Sequence, residues 1–259
     1  MKSGSRLYKN KRFIIAENSN DMGFKTVFKR LEYKYLITKE QKENILSTMG
    51  SYMFLDCYGR TTIRNLYFDT ESYLLIRRSI ESPIYKEKLR IRSYQTANEN
   101  STVFVELKKK YDKVVYKRRL SLTEKEAMEW TCGRRHLNKT TQISREIDYF
   151  LDYYGDLFPR VFLCYDREAY FSPDDAELRI TFDENILCRR NDLSLCCDAY
   201  GDRLIDDGYT LMEIKCSGGM PLWLVHILSE EKIYKGSFSK YGTAYKTMIY
   251  PEAYNKERV

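Results

Sequence analysis

Arg30-Leu31-Glu32-Tyr33-Lys34-Tyr35-Leu36-Ile37 splits, residue by alternate residue, into two unlike sets: Arg30, Glu32 and Lys34 on one side, Leu31, Tyr33, Tyr35 and Ile37 on the other. Successive side chains of a β-strand point to opposite faces, so the stretch reads as a strand with one charged and one apolar surface. One such strand is weak testimony, since a strand on any protein surface looks the same. The pattern recurs, however, in at least six later segments. They include Lys88-Leu89-Arg90-Ile91-Arg92-Ser93-Tyr94, Val103 to Lys110, a partner at about 114–121, a strand at about 160–168, Glu177-Leu178-Arg179-Ile180-Thr181-Phe182-Asp183, and about 209–216 with Leu211-Met212-Glu213-Ile214-Lys215.

A further strand is expected at about 62–69, and the first spans about 27–37. Amphipathic helices fit between them. Thr38 is a good cap for a helix from Glu40 to Met49, and Thr123 with Glu126 forms the capping box of another at about 123–131. Helices are also expected at about 143–154, 220–232 and 239–249, with a short one through Leu74-Leu75, while 189–207 reads as irregular. Residues 1–23 are polar and basic and read as a poorly ordered arm, with Met22 as well as Met1 a possible start. Residues 24–259 read as a single domain.

Composition narrows the function. The 259 residues are ample for a sizeable core. A formal charge of +7 and a pI near 8.9 favour a polyanionic partner. The seven cysteines include no Cys-x-x-Cys pair, and there are only two histidines, His136 and His226. A zinc site is therefore disfavoured, and buried free thiols in a reducing compartment are expected; His226 reads as a packing residue. No signal peptide is visible and no apolar run is long enough to span a bilayer, so the chain reads as soluble and cytoplasmic.

The charged strand faces have two possible destinations. They could be solvated, as the outer surfaces of a β-sandwich. Alternatively they could line the bore of a closed antiparallel barrel with helices outside. Two features favour the bore. The face collects Arg30, Lys34, Lys88, Arg90, Arg92, Lys108, Lys117, Arg119, Arg167, Arg179 and Lys215 against few acids, and the amphipathic helices need the apolar face to cover. Two like charges about 4 Å apart repel by roughly 4 kcal/mol at an effective dielectric near 20. A bore so lined would be relieved by linear phosphate chains, which suit bidentate arginine contacts. Nucleic acid fits less well, because its bases need stacking surfaces or groove geometry.

The ordered set Glu32-Tyr33-Lys34-Tyr35, Tyr67-Phe68-Asp69, Lys88-Leu89-Arg90-Ile91-Arg92, Phe104-Val105-Glu106-Leu107-Lys108, Asp166-Arg167, Leu178-Arg179-Ile180, Leu211-Met212-Glu213-Ile214-Lys215 and Phe238-Ser239-Lys240-Tyr241 resembles the VTC-type polyphosphate polymerase domain, a branch of the triphosphate tunnel metalloenzymes. The resemblance covers about residues 24–250. It implies an α+β protein whose eight antiparallel strands close into a tunnel with a charged bore and helices packed outside. It also implies transfer of the terminal phosphate of ATP onto inorganic polyphosphate with Mn²⁺ or Mg²⁺.

Position by position, the resemblance places phosphate-binding bases at Lys34, Arg90, Arg92, Lys108, Lys117, Arg167, Arg179 and Lys240, and the metal carboxylate at Glu213. Lys215, on the same cationic face, is counted with the phosphate-binding residues. Arg90, Arg92, Lys108, Arg179 and Glu213 are the expected catalytic set. Glu32 and Glu106 have a second role open to them, that of holding neighbouring bases. Tyr67, Phe68 and Asp69 read as structural.

There are departures from the pattern. Arg30 stands where triphosphatases of this superfamily carry the first acid of a Glu-x-Glu-x-Lys strand, which leans the reading away from hydrolysis. Ser237, with Lys235 nearby, replaces a lysine of the polymerases. The alternatives are a triphosphatase in the same tunnel and a polyphosphate-binding module without turnover. No nucleic-acid partner is expected, and any membrane association would need a partner protein.

Overall fold

The computed structural model describes residues 31–112, 114–137 and 140–251. Arg30, the arm at 1–23 and both candidate starts lie outside the described residues. The chain runs β1 (Leu31–Thr38), α1 (Lys39–Met49), β2 (Phe54–Leu55), β3 (Thr61–Asp69), α2 (Leu74–Ile80), β4 (Tyr85–Ser93), β5 (Thr102–Tyr111), β6 (Val114–Thr123) and α3 (Glu124–Thr131). It continues with α4 (Gln142–Tyr154), β7 (Phe158–Phe171), β8 (Arg179–Arg189), β9 (Asp202–Arg203), β10 (Tyr209–Cys216), α5 (Leu222–Glu230) and α6 (Lys240–Ala244), which passes into a π-helical turn at Tyr245–Ile249.

The capping residues act as the sequence predicts. Thr38 and Thr123 each accept from a backbone N–H three residues on, with Gln41 and Glu126 reaching back to complete the boxes. Between 189 and 202 the loop is organised by Arg189, which donates to the carbonyls of Asp192, Asp198 and Tyr200 and stacks over Phe162.

All strands join one antiparallel sheet in the order β1-β10-β8-β7-β3-β4-β5-β6, with β2 beside β7 and β9 beside β8. The sheet is not closed, contrary to the expected sealed barrel: β1 and β6 are its two outer strands. A physical reason lies at β1, whose free edge is taken by the chain after α5. There Gly236 N–H donates to Lys34 O at 2.8 Å.

The sheet nevertheless curls until β5 comes up to β1. From β1 to β5 the order takes six strand steps, roughly 29 Å if laid flat at about 4.8 Å per step. Yet Lys108 Nζ of β5 approaches Glu32 Oε2 of β1 to 3.9 Å. Accumulated strand twist closes that distance.

The apolar strand face lies outside and is covered in two halves. Leu89, Ile91, Val105 and Leu107 pack under Trp130 of α3 and Ile147, Phe150 and Leu151 of α4. Tyr35, Ile37, Ile180, Phe182, Met212 and Ile214 pack under Ile45 and Met49 of α1 and Leu224 and Leu228 of α5. Not every helix is external, however, and this corrects a second expectation. Ile76 of α2 and Tyr241 and Ala244 of α6 pack on the inner face against Ile63, Tyr67, Val161 and Leu163. Arg167 lies further along the same side of β7 opposite Asp183, and Arg90 lies opposite Tyr67, so the inner face is apolar in one part and charged elsewhere.

Two smaller expectations also change. His226 lies on the exposed side of α5, not in its packed stripe. Of the free cysteines, Cys164, Cys188 and Cys216 are buried, whereas Cys57, Cys132 and Cys196 are exposed.

Candidate functional site

Cross-strand partners share a face, so the registers alone assemble the site. On one wall Glu32 lies opposite Lys215 and Lys215 opposite Arg179, while Lys34 lies opposite Glu213 and Glu213 opposite Thr181. Asp183 of β8 then faces Arg167 of β7. On the other wall Arg90 lies opposite Glu106 and Glu106 opposite Arg119, with Lys88, Lys108 and Lys117 forming the next row.

Glu106 is almost fully buried and gathers three cations. Arg90 reaches it at 2.7 Å, Arg119 at 2.6 Å and Lys117 at 2.8 Å. Burial alone would raise its pKa, but Arg90, Arg92 and Lys117 outweigh this and hold the carboxyl well below the usual carboxylate range. Of the two roles open to Glu106, the geometry matches holding its neighbouring bases.

Across the bore, Asp183 accepts from Arg167 Nη2 at 2.7 Å and pairs with Lys240 of α6. Glu213 lies 3.2 Å from Lys215, 3.4 Å from Lys34, 3.7 Å from Lys240 and 3.8 Å from Arg167. Burial again works against ionisation of both carboxyls, and the surrounding cations, Lys240 foremost, keep both pKa values low.

The lysines of the opposite wall are less well compensated. Lys88 Nζ donates to Ser239 Oγ at 3.2 Å and has no ion pair among the described residues. Burial, then the nearby Lys108, Lys86, Lys34 and Arg90, bring its pKa down to about 7. Lys117 falls to about 8, chiefly through burial, with Arg119 and Arg90 adding to it against the pull of Glu106. Lys108 is lowered as well, by burial and by Lys34, Arg90 and Lys215 against the pull of Glu32. The wall formed by β4, β5 and β6 therefore carries more cation than its own carboxylate neutralises.

Of the expected residues, Lys34, Arg90, Lys108, Lys117, Arg167, Lys215, Lys240 and Glu213 share these contacts. Arg92 is on the same face but spends its guanidinium on Asn65 Oδ1 (2.9 Å) and Tyr165 OH (3.2 Å). Arg179 stands apart: it shares the face by register, but its Nη2 lies 2.8 Å from Asp56 Oδ2 at the end of the row.

Residues outside the expected set also enter. Tyr67 OH accepts from Arg90 Nη1 at 2.9 Å, and its ring stacks on Tyr241 at 4.8 Å, so Tyr67 belongs to the bore. Phe68 and Asp69 are structural, Phe68 in the outer core and Asp69 accepting from the N–H groups of Leu75 and Ile76 in the first turn of α2. Tyr165 is in contact with Arg92; burial raises its pKa, but Arg167, Arg92 and Lys240 prevail and bring it to about 8. Asp183 was detectable in the sequence as the third polar residue of the Arg179, Thr181, Asp183 alternation.

Among the described residues no three His, Cys, Asp or Glu side chains converge, so there is no cage for a resident ion. Glu32 Oε1 and Glu213 Oε1 do converge on one cation, Lys34 Nζ, at 3.3 and 3.4 Å. Two carboxylates completed by phosphate oxygens suit Mg²⁺ or Mn²⁺ arriving with its substrate.

The profile of the VTC domain matches residues 29–249. A search among curated proteins finds no match. Among solved structures, a proposed adenylate cyclase from Bacillus halodurans is similar at 16% identity with a TM-score of 0.51, over 80% of this chain and 92% of that one. Another, from Vibrio parahaemolyticus, is similar at 11% identity with a TM-score of 0.45, over 83% of this chain and 96% of that one. The first of these likenesses is one of fold; the VTC match spans β1 to the π-helical turn, and the chain belongs to the VTC domain family.

Proposed function

We propose that this chain is a metal-dependent polyphosphate polymerase that moves the terminal phosphate of ATP onto a growing inorganic polyphosphate chain. The observation that carries this reading is the lysine row Lys88, Lys108 and Lys117 beside Arg90 and Arg119, all on the inner face of the curled sheet with Glu106 as the principal counter-charge. Phosphoryl transfer asks a protein for positioning and charge neutralisation more than for covalent chemistry.

In this reading Arg90, Lys108, Lys117 and Lys88 bind the triphosphate, and Glu106 keeps the two arginines and Lys117 aimed inward. Lys34, Arg167, Lys215 and Lys240 line the facing wall and guide the acceptor chain. A terminal oxygen of that chain attacks the γ-phosphorus of ATP, the bond from that phosphorus to its bridging oxygen breaks, and ADP leaves. The attacking oxygen is already ionised, so no general base is required. When bound, Mn²⁺ or Mg²⁺ supplies charge neutralisation across the phosphate oxygens; Glu213, with Glu32 beside it, would hold it. Arg179, tied to Asp56, is not part of the clamp.

Purified protein incubated with ATP and Mn²⁺, with products resolved on a gel, tests the reading. Long phosphate chains together with ADP are expected. Free phosphate with ADP would establish a triphosphatase, and tight polyphosphate binding without turnover a binding module; either result overturns the polymerase.

A further inference from the structure

At one end of the inner face the charged pattern gives way to aromatic rings. Phe54 of β2 lies opposite Phe171 of β7, Phe171 opposite Arg179 of β8, and Arg179 opposite Lys215 of β10. The two rings and two cations therefore form one row on the side of the sheet that carries the site. The rings are 6.3 Å apart and tilted by 39°, and Phe54 and Phe171 remain 55% and 44% exposed. They are held in place from both directions. Asp56 N–H donates to Ala169 O at 2.8 Å, and Asp56 Oδ2 takes Arg179 at 2.8 Å. A fixed, exposed aromatic pair adds little to a core, but it presents π-faces to whatever enters at this end.

We infer that this row is a stacking platform for the base of a nucleoside triphosphate whose phosphates lie deeper in the bore. The inference rests on the reading of the bore as a triphosphate site and adds how the nucleoside end is recognised. Spacing supports it. The row runs on from Lys215 to Glu32 of β1, which lies 3.9 Å from Lys108 of the triphosphate clamp; the three strand steps from Phe171 to Glu32 span at most roughly 14 Å at about 4.8 Å per step. A ribose bridges such a gap between a base on the rings and a triphosphate that begins at the central cations. Arg179 contributes a flat cation beside the rings, of the kind that stacks on aromatic bases.

The chemistry also separates the two substrates. Inorganic polyphosphate has no π-face and gains nothing from Phe54 or Phe171, whereas every nucleobase has one. The platform therefore distinguishes a nucleotide donor from an inorganic acceptor, and does so without preference for a particular base.

Calorimetric binding of ATP and of inorganic tripolyphosphate to the full chain tests this, using wild type, Phe54→Leu, Phe171→Leu and Phe171→Tyr. Leucine keeps the apolar bulk and removes the π-face; tyrosine keeps both. ATP affinity should fall about tenfold in each leucine variant, within the range stacking contributes per base. Tripolyphosphate affinity should stay at the wild-type value in both, and Phe171→Tyr should bind both ligands normally. Unchanged ATP binding in the leucine variants, or equal weakening of ATP and tripolyphosphate, overturns the platform while leaving the bore reading intact. Wild-type protein that binds neither ligand overturns both.

Discussion

Lys240 of α6 is ion-paired with Asp183 of β8, a carboxylate with no solvent exposure. This contact fastens the last helix inside the curl of the sheet, because Asp183 is also held by Arg167 from the neighbouring strand. A residue near the C-terminus thus depends on one in mid-chain for its charge balance. Asp183→Ala leaves Arg167 and Lys240 facing each other without that anion. Breaking a buried pair from one side typically costs about 3–5 kcal/mol. Urea unfolding should show a loss of that size; a variant as stable as wild type would show that the contact is not formed.

Acid should weaken the fold through the same kind of group. Glu106, Glu213 and Asp183 all have pKa values lowered in the folded state, and Glu184, hydrogen-bonded by Lys42 and Arg60, is lowered to about 2. A carboxyl whose folded pKa lies below its unfolded value contributes stability that is fully present above the unfolded pKa and is lost as pH falls through the folded one. Stability should therefore hold above about pH 5 and decline progressively below it. Glu106→Gln should be less stable at neutral pH and show a shallower acid decline in a series of denaturant titrations.

Alkali should weaken anion binding. Lys88 and Lys117 have pKa values brought down to about 7 and about 8. A bound polyanion favours the charged lysines, so binding takes up protons once the pH exceeds these values, and affinity falls as the pH rises further. Tripolyphosphate affinity should thus decrease between about pH 7 and pH 9, with proton uptake visible as a buffer-dependent heat in calorimetry. Lys88→Ala should bind more weakly at pH 7 and lose the earlier part of this pH dependence.

Turnover and binding should separate at Glu213. Its carboxylate meets four cations and, with Glu32, shares Lys34. Glu213→Ala is expected to abolish ADP formation from ATP and Mn²⁺ while keeping part of the tripolyphosphate binding, since the lysine row of the opposite wall is untouched. Normal turnover in this variant would remove Glu213 from the metal role.

The exposed position of Arg179 sets it apart from Arg90, Arg92 and Arg167. Its pairing with Asp56 is solvent-exposed, and exposed pairs contribute about 0–1 kcal/mol. Arg179→Ala should therefore unfold at nearly the wild-type denaturant midpoint, whereas Arg90→Ala, which strips a partner from buried Glu106, should lose several kcal/mol. Equal losses in the two variants would contradict the difference in burial.

Much of this molecule is legible one strand at a time. The alternation from Glu32 to Ile37 and from Lys88 to Arg92 assigns each side chain to a face, because a strand's period of two is a local geometric property. Thr38 and Thr123 mark where helices begin for an equally local reason: a side-chain oxygen satisfies an N–H that the first turn leaves unpaired. The number and sign of the charges on the polar face follow directly. Curvature is not local. Whether Glu32 would look at water or at Lys108 depended on twist accumulated over six strand steps, which no single segment encodes. For the same reason only the tertiary structure decided that Gly236 takes the edge of β1 and leaves the sheet open, that Tyr241 and Lys240 lie inside, that Asp183 joins the site and that Arg179 turns to Asp56. Alternation chooses a side for each residue; which residues then meet across that side is set by how the whole sheet bends.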